Sequence, residues 1–476
     1  MNTLKFELTP RVSLFAATLI LKILAVAFSA IAYGILSLPL VFCGALIWLA
    51  YFSSLFVVAL PQSENFLQKY MRWLKPAAKV SVATLLTIGM LEVGVIGAIA
   101  AGVFDNSSEA VEDLVYTFER TQIYSDATAL SHQATENFLE GENPYEEADI
   151  IAALTEHNIP TVKLTPVRAG QFANEFPYPT LEKMEAVWQD VVKTPDVPPV
   201  EFETHYSYPA GSFILAAPFF ALGVDDYRVV IAVIPLLALG YVIWRVKSNR
   251  WRLLLAAVLL ASLEIWNLMT AGETSILAFP FLLLAWLFAK RKWWLSAIFM
   301  GVAIAVKQTA WFFIPFYLIL LFREYGFKRT AYISAIAGGV FLAFNLPYMV
   351  QDFYLWLGSL FAPLTGDLFP SGIGIVTLVM AGVVDTQSSM PFLVMELAVM
   401  LSGAIWYYRN CRRYPNTGLI LAVLPLFFAW RSGWSYFFFI DIIILATIIL
   451  NEYRLDKAAS GRQSRYPHLY EQQPYG

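Results

Sequence analysis

The sequence is short of charge, cysteine and histidine. Of its 476 residues only 14% are Asp, Glu, Lys or Arg, against about 25% in an ordinary soluble domain. That shortage excludes a soluble enzyme, a disordered scaffold and a nucleic-acid binder, which need charge for solvation or for phosphate neutralisation. Two cysteines, Cys43 in an apolar run and Cys411 among arginines, are too few for a disulfide framework or a thiolate metal site. The four histidines, His132, His157, His205 and His468, show no paired metal spacing. No metal ligand set is therefore assigned and no cofactor is predicted, a divalent ion being left to a chelation test.

Apolar residues fill the chain instead: 58% are Ala, Val, Ile, Leu, Met, Phe, Trp, Tyr or Cys, and the mean hydropathy is +0.59. Long, nearly uncharged stretches recur from Val12 to Leu450, and a bilayer crossing needs about 20 such residues. The class is an all-α polytopic membrane protein. The run from Val12 to Leu60 exceeds a secretory apolar segment and contains Lys22, so it reads as two retained helices.

The net charge of −4 hides an asymmetry. Residues 104–207 hold 20 of the 36 acidic residues but only five Lys or Arg, a net of −15, while the rest of the chain carries +11. Basic residues collect at 61–79, 245–252, 290–292, 323–329 and 409–413, and short cytoplasmic loops carry such excesses. Placing all five inside predicts about twelve transmembrane helices, with both termini cytoplasmic. The domains follow: N-terminal transmembrane helices over 1–103, an acidic extracytoplasmic loop domain over 104–207, a transmembrane core over 208–451 and a disordered tail over 452–476. Residues 209–223 read as a short interfacial or re-entrant helix. Residues 350–390 read as an outside loop with a short helix near 372–384.

Ionisable groups in mid-bilayer cost about 2.5–3.5 kcal/mol on insertion scales, so each needs a reason. Lys307 and Arg431 fall at outer helix ends in this topology. Alone, either reads as snorkelling to headgroups; together they suit an anionic group such as a lipid phosphate. Glu264, Asn267 and Glu273 also approach the outer face, whereas Lys22, Glu92, Glu396 and Asp441 read as intramembrane ion pairs or packing contacts. In the acidic domain, residues 124–145 predict a helix opened or capped by Asp126, stopped by Gly141 and followed by an Asn143-Pro144-Tyr145 turn.

That segment resembles the GT-C superfamily of integral-membrane glycosyltransferases, and among them the bacterial polyprenol-phosphate-mannose-dependent mannosyltransferases of the DUF2029 type. The likeness is carried by Asp126 followed by Gly141-Glu142-Asn143-Pro144-Tyr145, then Tyr208-Pro209-Ala210, where the family has a second proline. It continues through Asn267 with Gly272-Glu273, Lys307-Gln308, and Trp434-Ser435-Tyr436. The resemblance implies sugar transfer from a polyprenyl-phosphate donor to a glycolipid or glycan acceptor on the outer face of the plasma membrane. It implies inversion at the anomeric carbon, with Asp126 as general base and Lys307 and Arg431 on the donor phosphate. Asn143, Tyr145, Asn267, Glu273, Trp434 and Tyr436 become candidate sugar or acceptor contacts, with ordinary packing as their plainer role. The alternative function is a transporter or flippase of an anionic lipid-linked substrate, and a third is a non-catalytic membrane scaffold.

Overall fold

The computed structural model describes residues 9–35, 38–100, 124–195, 197–260 and 262–452. Residues 104–123 of the acidic domain, the tail beyond 452 and the side chains of Glu92 and Asn267 lie outside the described residues. The described residues are mainly helical, and the strands among them are two short ones, Ser371–Gly372 and Arg431–Ser432. These pair in parallel with Ser371 opposite Arg431.

Among the described residues, six helices are long and apolar enough to cross a membrane. They lie within Pro10–Ile35, Leu38–Ala59, Met71–Ala100, Tyr227–Arg245, Phe327–Gln351 and Met390–Asn410. A seventh arises if Trp251–Leu260 and Glu264–Ala271, bent by 58° at their junction, form one broken span. The sequence expectation of about twelve exceeds this number. The remaining apolar runs are shorter elements, such as Gly211–Phe220, Trp293–Val306 and Phe353–Thr365. Trp293–Val306 buries Ala297, Met300, Ala303 and Val306 inside the protein; an apolar run seeks either lipid or a core, and periodicity alone does not separate them. Gly211–Phe220 matches the expected short helix, whereas Phe353–Thr365 occupies a stretch read as loop.

The helix Trp293–Val306 runs from Lys292 to Lys307, about 21 Å at 1.5 Å per residue. At the Lys292 end the basic connectors meet one another. Lys290 pairs with Glu324 at 3.3 Å, Arg412 donates to the Arg323 carbonyl at 2.7 Å, and Tyr414 shares a 2.7 Å hydrogen bond with Gln62. Arg245, Arg291 and Lys292 line a common cavity there. The connectors that the charge pattern grouped together thus occupy one pole of the fold.

The acidic segment folds against the other pole. Ser125 caps the Asp126–Glu140 helix by accepting from the Thr128 amide at 3.3 Å. Gly141 ends it in the left-handed region at φ 86°, where glycine carries no Cβ penalty. The amphipathic helix Leu181–Val192 buries Met184, Val187, Trp188 and Val191, with Trp188 edge-on to Phe202 at 5.5 Å. Residues 165–168 are held on two sides. The Thr165 carbonyl accepts from Glu203, the Val167 amide donates to the Glu201 carbonyl, and Arg168 engages Asp367 by backbone and side chain.

Candidate active site

Lys307 follows the Trp293–Val306 helix and is only 8% exposed. Its Nζ donates to the Thr274 hydroxyl at 2.8 Å and lies 3.5 Å from the centroid of the Tyr208 ring. Among the described residues no carboxylate forms a salt bridge with it, although Glu273 and Asp126 both act on its charge. A buried ammonium without a contact ion pair is held by weaker partners, a hydroxyl and a π-face, and retains donor capacity for an anion.

Thr274 is positioned by the turn that ends the Leu263–Ala271 helix. Gly272, at φ 74°, reverses the chain, and its carbonyl accepts a very short hydrogen bond from Thr128. A Cβ at Gly272 would be strained by the positive φ and would press on Thr128 Cγ2 at 3.0 Å, so the turn packs tightly on the start of the Asp126–Glu140 helix. The same turn presents Glu273, whose charge environment includes Lys307, Lys163 and Asp126.

Asp126 occupies the first turn of its helix. One carboxylate oxygen accepts from the Ala127 amide at 2.7 Å, and Thr165 offers its hydroxyl and amide from the clamped 165–168 segment. Burial raises the Asp126 pKa above its ordinary value, against the lowering influence of Thr165, the Ala127 amide and the Arg431 guanidinium. Arg431 projects from the second strand, not from the helix end expected for it. Ser371 and Ile373 donate to the Trp430 and Ser432 carbonyls and so fix that strand. Gly372 lies so close to the Ser432 carbonyl that no side chain fits between them.

Aromatic and ionic groups complete the surroundings. The charges of Asp126 and Arg431 act on Tyr178, which packs on Phe369 at 5.6 Å. Those of Arg431 and Glu273 act on Tyr436. Glu203 and His205 pair at 2.8 Å. Burial opposes the Glu203 carboxylate, but the His205 hydrogen bonds and the charges of His205 and Arg431 hold its pKa below the ordinary value. His205 rises in turn through its bond to Glu203, against burial.

The structure therefore brings Asp126, Glu273, Lys307, Arg431 and Tyr436 into one charged neighbourhood. Tyr145 stands behind it: the phenol donates to the Tyr208 carbonyl at 2.8 Å, and the ring packs among Tyr206, Phe213 and Tyr348. Asn143 closes the turn by accepting from the Tyr145 amide. Trp434 opens the short turn Trp434–Tyr436. Glu264 does not join the group and pairs with Lys22 instead. Four polar members escaped sequence reasoning: Lys163, Thr165, Tyr178 and Glu203. Lys163, Thr165 and Tyr178 lie in a stretch with no spacing signature, and Glu203 belongs to the 201–203 segment that, with Asp367, holds residues 165–168.

Residues 206–431 match the family model of glycosyltransferase family 87. That stretch begins two residues before Tyr208, ends on Arg431 and includes Glu273 and Lys307. No curated protein and no solved structure gives a significant match.

Proposed function

We propose that this membrane glycosyltransferase moves a sugar, mannose, from a polyprenyl-phosphate donor to a hydroxyl of a glycolipid or glycan acceptor, on the extracytoplasmic face of the plasma membrane. The observation that carries the reading is a half-buried carboxylate, Asp126, in the field of two cations, Lys307 and Arg431, which come from distant parts of the chain.

The acceptor oxygen attacks the anomeric carbon, and Asp126 takes the hydroxyl proton as the new C–O bond forms. The bond from that carbon to the phosphate oxygen breaks, and the electron pair leaves with polyprenyl phosphate. Lys307 and Arg431 stabilise the growing negative charge in a site of low dielectric. Attack from the face opposite the leaving phosphate inverts the anomeric centre. Burial suits Asp126 to the base role, since a carboxylate raised towards neutrality is the stronger proton acceptor. Tyr178, Tyr208 and Tyr436 offer ring faces to the sugar.

The basic connectors lie at the opposite pole, in keeping with an outer-face site and both termini in the cytoplasm. The test uses protein in lipid nanodiscs with radiolabelled polyprenyl-phosphate-mannose and a membrane lipid extract, comparing wild type with Asp126→Asn. Label transfer by wild type alone supports the reading. Equal transfer by both removes Asp126 as base. Movement of unmodified donor across vesicles, without transfer, identifies a flippase instead.

A further inference from the structure

We infer that Lys22 is a positioning residue for sugar transfer, acting as one buried clamp on the two segments that carry Glu273–Thr274 and Arg431–Tyr436. This rests on the transferase reading of the site.

Lys22 lies on the first helix, Pro10–Ile35, is 2% exposed and sits far outside the family-matched stretch. Its Nζ donates to the Phe438 carbonyl at 2.7 Å and to Asp441 Oδ2 at 3.0 Å, and lies 3.4 Å from Glu264 Oε2. An ammonium has three donors, and these three oxygens account for them. Glu264 and Asp441 are themselves buried, at 6% and 0% exposure, so the ammonium neutralises one of two otherwise uncompensated carboxylates.

The oxygens belong to the segments that form the site. Phe438 is two residues beyond Tyr436 and seven beyond Arg431. Glu264 opens the Leu263–Ala271 helix, whose other end delivers the Gly272 carbonyl to Thr128 and Thr274 to Lys307. A helix is stiff along its axis, so a shift at Glu264 passes to the Gly272 turn about 12 Å away. The second helix braces the same region: Trp48 and Phe52 pack on Phe437 with centroids at 5.6 and 5.2 Å. The first helix thus has a polar grip on both segments, through Glu264 on one and through Phe438 and Asp441 on the other.

A simple packing role makes a different prediction. Replacing a whole buried ionic group by apolar residues of similar size commonly preserves or raises stability, whereas removing one partner strands a charge. The combined variant Lys22→Met, Glu264→Met, Asp441→Leu leaves no stranded charge. The singles Glu264→Met and Asp441→Leu each leave a neutral pair. The experiment measures hydrogen exchange in nanodiscs over residues 272–278 and 431–438, with 181–192 as an internal control, beside kcat and donor KM.

Exchange at both segments is expected to speed at least tenfold in the combined variant, with the control unchanged. Glu264→Met is expected to loosen 272–278 more, and Asp441→Leu to loosen 431–438 more. kcat is expected to fall at least tenfold, with donor KM changed less than threefold. Wild-type exchange at both segments, or a wild-type kcat in the combined variant, overturns the inference. The two singles decide the matter should the combined variant fail to fold. An inactive wild type would sink the transferase reading alone, because exchange reports the clamp without substrate.

Discussion

Lys307 lies beneath the ring of Tyr208, its ammonium 3.5 Å from the ring centroid while the same nitrogen donates to Thr274 at 2.8 Å. The pairing joins the two landmarks at opposite ends of a hundred-residue interval, and it makes Tyr208 a support for the cation rather than only a helix start.

Lys307→Met is expected to weaken donor binding and lower kcat/KM by about 10²–10³-fold, the range typical for removing one preorganised electrostatic partner. Lys307→Arg is expected to recover only part of this, because a planar guanidinium does not reproduce a point charge fitted between a ring face and a hydroxyl. Donor titration in nanodiscs, read separately from turnover, checks both. A Met variant that binds donor like wild type removes Lys307 from the phosphate site.

Asp126→Asn keeps the volume and the acceptor for the Ala127 amide but cannot take a proton. Transfer is expected to drop by about 10²–10⁴-fold, the usual share of general base catalysis, with donor binding retained. Single-turnover measurement on bound donor separates the two quantities.

The pH dependence carries a definite sign. Burial places the folded-state pKa of Asp126 above its ordinary value of 3.8, and the base form predominates only above that raised value. The acid limb of kcat/KM is therefore displaced upward from the ordinary Asp value, and Arg431→Gln, which removes a lowering influence, moves it higher still. Stability runs the other way. The folded state binds the proton more tightly than the unfolded chain, so this group's contribution is full below pH 3.8 and is lost as pH rises through the raised pKa. Asp126→Asn is accordingly expected to raise the melting temperature at pH 7 and not at pH 3. Melting curves at the two values decide it, and a variant less stable at pH 7 would count against the burial account.

Tyr145→Phe tests a packing role. The substitution deletes the bond to the Tyr208 carbonyl and keeps the ring contacts. It is expected to cost about 1 kcal/mol of stability, with kcat within twofold of wild type. A large loss of kcat at unchanged acceptor affinity would place the phenol in the chemistry after all.

Much of this architecture was legible without a fold. Low charge and long apolar runs announce a membrane protein because hydropathy accumulates along the chain and needs no contact to be read. The clustering of Lys and Arg in short connectors likewise marks one pole, and Gly141 marks a helix end through its own backbone freedom. Lys307 and Arg431 stand out because an ionisable group beside so much apolar sequence is costly wherever it lies, whereas Asp126 reads as a helix cap and gains a site role only through the family resemblance.

Other features belong to the tertiary structure alone. Apolarity does not say whether a run faces lipid or protein, so among the described residues six or seven helices are long enough to span where the sequence suggests about twelve. Thr165 and Tyr178 reach Asp126 through a clamped loop whose partners lie about 35 and 200 residues away, and no spacing records such a meeting. Glu264 looked like a companion of Glu273, nine residues on. The fold turned it to Lys22 because a buried carboxylate goes where a cation can meet it, and the first helix brought the cation there.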